Sequence, residues 1–144
     1  MTTIEPKRKY DIQIPTQHPI YEHARVQGFR ELLEAPVTPT TLSLLGEMMR
    51  QSHISYTRCG IGSTSTDLLV NMVEEAGPAA GLYGAKITGG GSGGTVCVIS
   101  SAGGEAAIKA VAAKYAAKTG HNPHIFKGSS IGGERFGCLV LQKA

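Results

Sequence analysis

Residues 83–99 read Tyr83-Gly84-Ala85-Lys86-Ile87-Thr88-Gly89-Gly90-Gly91-Ser92-Gly93-Gly94-Thr95-Val96-Cys97-Val98-Ile99. Two runs with strand-forming residues flank a turn made almost wholly of glycine. Thr95 to Ile99 is β-branched at most positions, which favours a strand over a helix. The segment therefore predicts a strand, a tight loop and a second strand, with the glycines held by a sheet.

The loop from Thr88 to Gly94 admits two readings. Consecutive backbone N–H groups on one side of a glycine turn suit an anion such as phosphate, and the missing Cβ lets a ligand or a neighbouring loop approach closely. The plain alternative is a glycine hairpin without a ligand, since glycine is the ordinary turn residue. Two familiar phosphate motifs are excluded. Thr95 stands where a P-loop would need lysine after its last glycine, and a dinucleotide fingerprint would open a helix instead of a strand.

Upstream, residues 1–17 read as a polar leader with one short strand candidate, Tyr10 to Ile14, closed by Pro15. A helix is predicted from Pro19, with Phe29, Leu32 and Leu33 on its apolar face and Gly28 as a weak point. Pro36 and Pro39 end it. A second helix carries Leu42, Leu45, Met49, Ser52 and Tyr56 on one stripe. Thr64-Ser65-Thr66-Asp67 fits a T-x-x-D capping box, opening a helix that packs Leu68, Leu69, Met72, Val73 and Ala76 until Gly77-Pro78.

Downstream, Ser100 or Ser101 is placed to cap a further helix, with Ile108, Val111, Ala112 and Tyr115 on its buried face and Gly120 as terminator. Lys118 stands well for that helix's C-terminal dipole. Short strands are predicted at His124 to Phe126 and from Phe136 to Leu141, where Phe136, Cys138 and Val140 alternate with Leu139 and Leu141. Strands separated by helices give an α+β fold with no internal repeat.

The 144 residues, 41% hydrophobic and 17% charged, are enough for one core. No window approaches the roughly 18 apolar residues of a membrane span, and no signal-peptide pattern opens the chain. Three cysteines without paired spacing point to a reducing cytoplasm. Cys97 and Cys138 are expected as small buried hydrophobes and Cys59 in a loop. The net charge of +3 and the short run Lys7-Arg8-Lys9 give no case for nucleic acid.

Five histidines show no metal-ligand spacing, so no metal site is predicted. His53, beside the second helix's apolar stripe, reads as a hydrogen-bonded core or interface residue. The aspartates are Asp11 and Asp67, the latter read as a cap, so the catalytic residues stay unassigned. Gly128-Ser129-Ser130-Ile131-Gly132-Gly133 is a second candidate. Ser129 and Ser130, flanked by Lys127 and Arg135, are suited to a phosphate or sugar hydroxyl, or simply join the last two strands.

Gly84-Ala85-Lys86-Ile87-Thr88 and the glycines after it resemble the third, C-terminal motif of the GHMP kinases. Leu45-Gly46-Glu47-Met48-Met49, Ser52-His53 and Thr66-Asp67-Leu68-Leu69-Val70 resemble the helices around that motif in the galactokinases. The arabinokinase branch is more similar still, from Ile4-Glu5-Pro6-Lys7-Arg8 through His18-Pro19-Ile20-Tyr21-Glu22 to Phe126-Lys127-Gly128-Ser129-Ser130 and Phe136-Gly137. The resemblance implies a ferredoxin-like domain over residues 18–144, with an antiparallel sheet and helices mainly on one face.

It also implies transfer of the ATP γ-phosphoryl group to the anomeric hydroxyl of L-arabinose or a related sugar. Thr88, Gly89, Gly90, Gly91, Ser92, Gly93 and Gly94 would brace the phosphate site, and Lys86 would add positive potential. The family's other glycine- and serine-rich loop, P-x-G-x-G-L-S-S-S, and its catalytic Asp and Arg belong to an N-terminal half that this sequence does not contain. ATP and Mg²⁺ are therefore expected only in a complete kinase. The implied partner is that N-terminal half, in cis or in trans, or a second copy. The alternative is a non-catalytic module that binds a small molecule or pairs with a separate half.

Overall fold

A computed structural model describes residues 4–128 and 131–140. Among these residues, five helices and two strands follow in the order α1 (Gln13–Glu34), α2 (Pro39–Arg58), α3 (Thr64–Ala76), β1 (Leu82–Ile87), β2 (Val96–Ser100), α4 (Glu105–Thr119) and α5 (Gly133–Phe136), with a 3₁₀ turn at Pro78–Ala80 before β1. The fold is α+β, as expected: helices pack on an antiparallel hairpin, the two-stranded sheet of the described residues.

The hairpin holds one irregularity, and it sets the core. Leu82 pairs with Ser100 but Gly84 with Ile99, so Tyr83 is an extra residue in β1. A bulge shifts the alternation of side chains by one position. Leu82 and Ala85 consequently both reach the core, where they join Val70, Met72 and Val73 of α3 and Val111 and Tyr115 of α4. Val96 and Val98 of β2 pack against the same cluster, leaving Cys97 on the other side.

One edge of β1 pairs with β2, and α2 covers the other. Thr88 N–H donates across the hairpin to the Thr95 carbonyl at 3.0 Å, so the preceding amide, that of Ile87, points to the opposite edge. There it donates to His53 Nδ1 of α2 at 3.3 Å. A helix along a strand edge satisfies groups that would otherwise recruit another chain.

The helix ends differ from the expected ones in instructive ways. α1 starts at Gln13, not Pro19, and replaces the predicted strand Tyr10–Ile14. The Asp11 carboxylate accepts the Gln13 amide at 3.1 Å, and Pro15 falls in the first turn, where no N–H is needed. Position 17/18, the expected domain start, thus lies within α1. For α3 the N-cap is Ser63, one residue before the predicted box, and its hydroxyl accepts the Thr66 amide. α4 begins after Gly104 with no side-chain cap, so neither Ser100 nor Ser101 has that role. Gly77, at φ 64°, ends α3 and Gly120, at φ 75°, ends α4, both as predicted.

The strands expected at His124–Phe126 and from Phe136 onward do not form among the described residues. Residues 121–128 carry no regular structure, and Phe136 ends the one-turn helix α5. Leu141 and the pair Ser129–Ser130 lie outside the described residues. Segment 121–128 is tied to α4 where Lys127 pairs with Glu105, which also bonds Lys109 at 2.8 Å. The hydrogen bonds and charges of Lys109 and Lys127 hold the Glu105 carboxyl down at about 2. Cys97 and Cys138 are exposed, against expectation, and Cys59 is half-buried.

Candidate functional site

The glycine loop is closed at its base by Thr88, whose amide and hydroxyl both donate to the Thr95 carbonyl. Above that base, Gly89, Gly91, Ser92, Gly93 and Gly94 all have positive φ, between 64° and 119°. Side chains other than glycine are strained in this region, and Ser92 is the exception the loop tolerates.

One side of the loop is seated on the α2–α3 connection. Ser92 N–H donates to the Ile61 carbonyl at 2.6 Å. A Cβ on Gly91 would fall 2.4 Å from that same oxygen. A Cβ on Gly93 would lie 3.4 Å from the Ser63 hydroxyl, so the loop rests beside the capped N-terminus of α3. The other side is open: Cβ atoms on Gly89, Gly90 and Gly94 would meet nothing within 4 Å. No described group accepts from the amides of Gly90 and Gly94, so these donors are unpaired among the described residues. Such an arrangement can bind an anion through backbone N–H groups beside a positive helix end.

Three side chains of α2 support the loop and its strand. His53 is buried and hydrogen-bonded, as its position beside the stripe implies. Since Nδ1 accepts from Ile87, the ring proton sits on Nε2, which lies 3.2 Å from Asp67 Oδ1. That approach is off-axis, and Asp67 Oδ1 has no hydrogen-bond partner. Asp67 therefore faces His53 from the first turns of α3, and the reading of Asp67 as a capping residue gives way to Ser63. Tyr56 donates its hydroxyl to the Gly89 carbonyl at 3.1 Å.

Ser52 is the third. Its hydroxyl donates to Glu22 Oε1 of α1 at 2.5 Å, while Arg25 Nε donates to Glu22 Oε2 at 2.9 Å. Burial alone would raise the Glu22 pKa, but the bonds from Ser52 and Arg25 and the charges of Arg25 and Lys86 bring it below the usual carboxylate value. Lys86 stands over the Tyr56 ring, its ammonium 5.1 Å from the ring centre. With Glu22, Val26, Phe29, Met48, Met49 and Cys97 it lines a largely apolar cavity of about 250 Å³ under α1.

Sequence reading found the loop and placed Ser52, His53 and Tyr56 on the right helix. It missed Glu22 and Arg25, because an E-x-x-R pair on an exposed helix looks like any surface ion pair. No group of three or more His, Cys, Asp or Glu side chains among the described residues is placed to hold a metal ion. No helix among them is long and apolar enough to cross a membrane.

The chain belongs to the GHMP kinase C-terminal family, "GHMP kinases C terminal", which matches residues 29–117. It is 43% identical to the L-arabinokinase of Arabidopsis thaliana over 151 aligned residues, covering 99% of this chain and 14% of that protein. It is 32% identical to the galactokinase of Clostridium beijerinckii over 124 residues, covering 83% of this chain and 29% of that protein. The chain thus spans a small part of the length of either relative.

Proposed function

We propose that this domain forms the C-terminal part of an ATP-dependent sugar 1-kinase acting on L-arabinose or a related sugar. The observation that carries the proposal is the likeness to L-arabinokinase along 99% of the chain, glycine loop included. In this reading the open amides of the loop and the N-terminus of α3 line the site near the transferred phosphoryl group. Phosphoryl transfer is mostly positioning and charge neutralisation, and a braced set of backbone donors contributes to both. ATP and Mg²⁺ would be held jointly with an N-terminal kinase half, which supplies the general base and the sugar contacts. Three free cysteines fit work in a reducing cytoplasm.

The test is ADP release with Mg-ATP and L-arabinose, D-galactose serving as comparison, by the chain alone and with an N-terminal kinase half added. Activity on addition of that half, abolished by Gly91→Val, is the expected result. Gly91→Val is chosen because its side chain would strike the Ile61 carbonyl. Full activity in Gly91→Val would remove the loop from the site. Absence of activity in every combination would favour a non-catalytic binding module.

A further inference from the structure

The glycine loop raises a problem of its own. Two adjacent glycines, Gly89 and Gly90, have open space around them. The peptide between them can flip at little steric cost, because neither residue has a Cβ to oppose it. A flip would turn a carbonyl oxygen toward the open side, where it would repel an anion. A loop that binds phosphate through its amides therefore needs something to hold this peptide in one orientation.

Tyr56 occupies that position. Its hydroxyl holds the Gly89 carbonyl at 3.1 Å. In a trans peptide the carbonyl and the following N–H point in opposite directions, and the described residues contain no cis bond. Fixing the Gly89 oxygen on α2 therefore aims the Gly90 N–H away from α2. The ring is itself held on two sides. His18 of α1 meets it edge-on, with ring centres 4.9 Å apart at 86°, and the Lys86 ammonium lies over its face. His18 is anchored in turn by Ser55, with Nδ1 and the hydroxyl 2.7 Å apart. A continuous line of contacts thus runs from α1 through α2 to a single peptide plane of the loop.

We propose that Tyr56, set in place by His18, is a positioning residue that holds the Gly90 amide outward as a donor to a phosphate oxygen. The proposal rests on the reading of the loop as a phosphate site and names one donor within it. It also gives α1 a role, since His18 lies outside the stretch matched by the family.

The experiment is an amide NMR titration with Mg-ATP of the ¹⁵N-labelled chain paired with an unlabelled N-terminal kinase half, in the wild type, Tyr56→Phe, His18→Ala and His18→Phe. Tyr56→Phe keeps the ring and deletes only the hydroxyl. It is expected to weaken Mg-ATP binding about fivefold, the scale of one net hydrogen bond. The Gly90 amide should shift and exchange faster, while Val111 and Tyr115 of α4 stay unchanged. His18→Ala should act in the same direction, and His18→Phe, which restores a ring edge, should recover most of the loss. Unaltered affinity in Tyr56→Phe, or equal changes in α4, would overturn the proposal.

Should the wild type bind no Mg-ATP with the N-terminal half present, the phosphate-site reading fails on its own. The clamp is then judged on the Gly90 amide alone: a shift and faster exchange in Tyr56→Phe support it, and an unchanged amide refutes it.

Discussion

Gly46 of α2 and Gly84 of β1 meet backbone to backbone. A Cβ on Gly46 would lie 1.7 Å from the Tyr83 carbonyl oxygen, and one on Gly84 would lie 2.5 Å from the Gly46 Cα. The contact sets how closely α2 lies along the strand edge, and so whether His53 reaches Ile87. Gly46→Ala should therefore destabilise the domain by about 1–3 kcal/mol, the usual cost of overpacking, despite the better helix propensity of alanine. Urea unfolding measures this. Gly90→Ala, at a position with open surroundings and no positive φ, is the control and should stay within about 0.5 kcal/mol.

How much of this was readable beforehand differs by residue. The hairpin and the stripe through Leu45, Met49 and Ser52 follow from local periodicity, and both appear in the fold. The bulge at Tyr83 does not, because a one-residue slip leaves no mark on a short strand. Val70, almost fully buried, is absent from the predicted packing face, since Leu68 and Leu69 beside it are equally apolar. The strand predicted from Phe136 rests on alternation alone, and alternation cannot supply a neighbouring strand to pair with. Leu139 and Val140 stand exposed accordingly.

His53 accepts the Ile87 amide in a buried setting, so its removal leaves a donor without water or partner. His53→Leu should cost about 1–3 kcal/mol for that reason. Asp67→Asn keeps the shape of the partner side chain and leaves the Ile87 bond intact, so it should cost less. A double-mutant cycle between the two positions measures their coupling. Zero coupling would mean that the 3.2 Å approach of His53 to Asp67 contributes nothing to stability.

The Glu22 carboxyl has a lowered pKa in the folded chain, because Ser52, Arg25 and Lys86 outweigh its burial. The sign follows from linkage: a depressed folded value stabilises the fold above the unfolded value and is lost as pH falls through the folded one. The contribution of Glu22 should therefore be complete at neutral pH and decline below its ordinary 4.5. Unfolding free energies from pH 7 down to pH 3 test this. Glu22→Gln should lower stability at pH 7 and flatten the acid slope, and an unchanged slope would exclude Glu22 as its source.

Two serine and threonine hydroxyls compete for the start of α3, and their mutants separate them. Ser63 accepts the Thr66 amide and also contacts the Thr66 hydroxyl at 2.8 Å. Thr64 is the first helical residue and has no capping bond. Loss of an N-cap hydroxyl costs about 1 kcal/mol, whereas a first-turn threonine replaced by alanine changes little. Ser63→Ala should therefore lower the unfolding free energy by about that amount, and Thr64→Ala should leave it within about 0.5 kcal/mol. Ser63 also lies beside the glycine loop, where a Cβ on Gly93 would come 3.4 Å from its hydroxyl. Faster amide exchange at Ser92 in Ser63→Ala, with Tyr115 of α4 unaffected, would show that the cap supports the loop as well as the helix. Equal losses in the two mutants would return the cap to Thr64 and separate it from the loop.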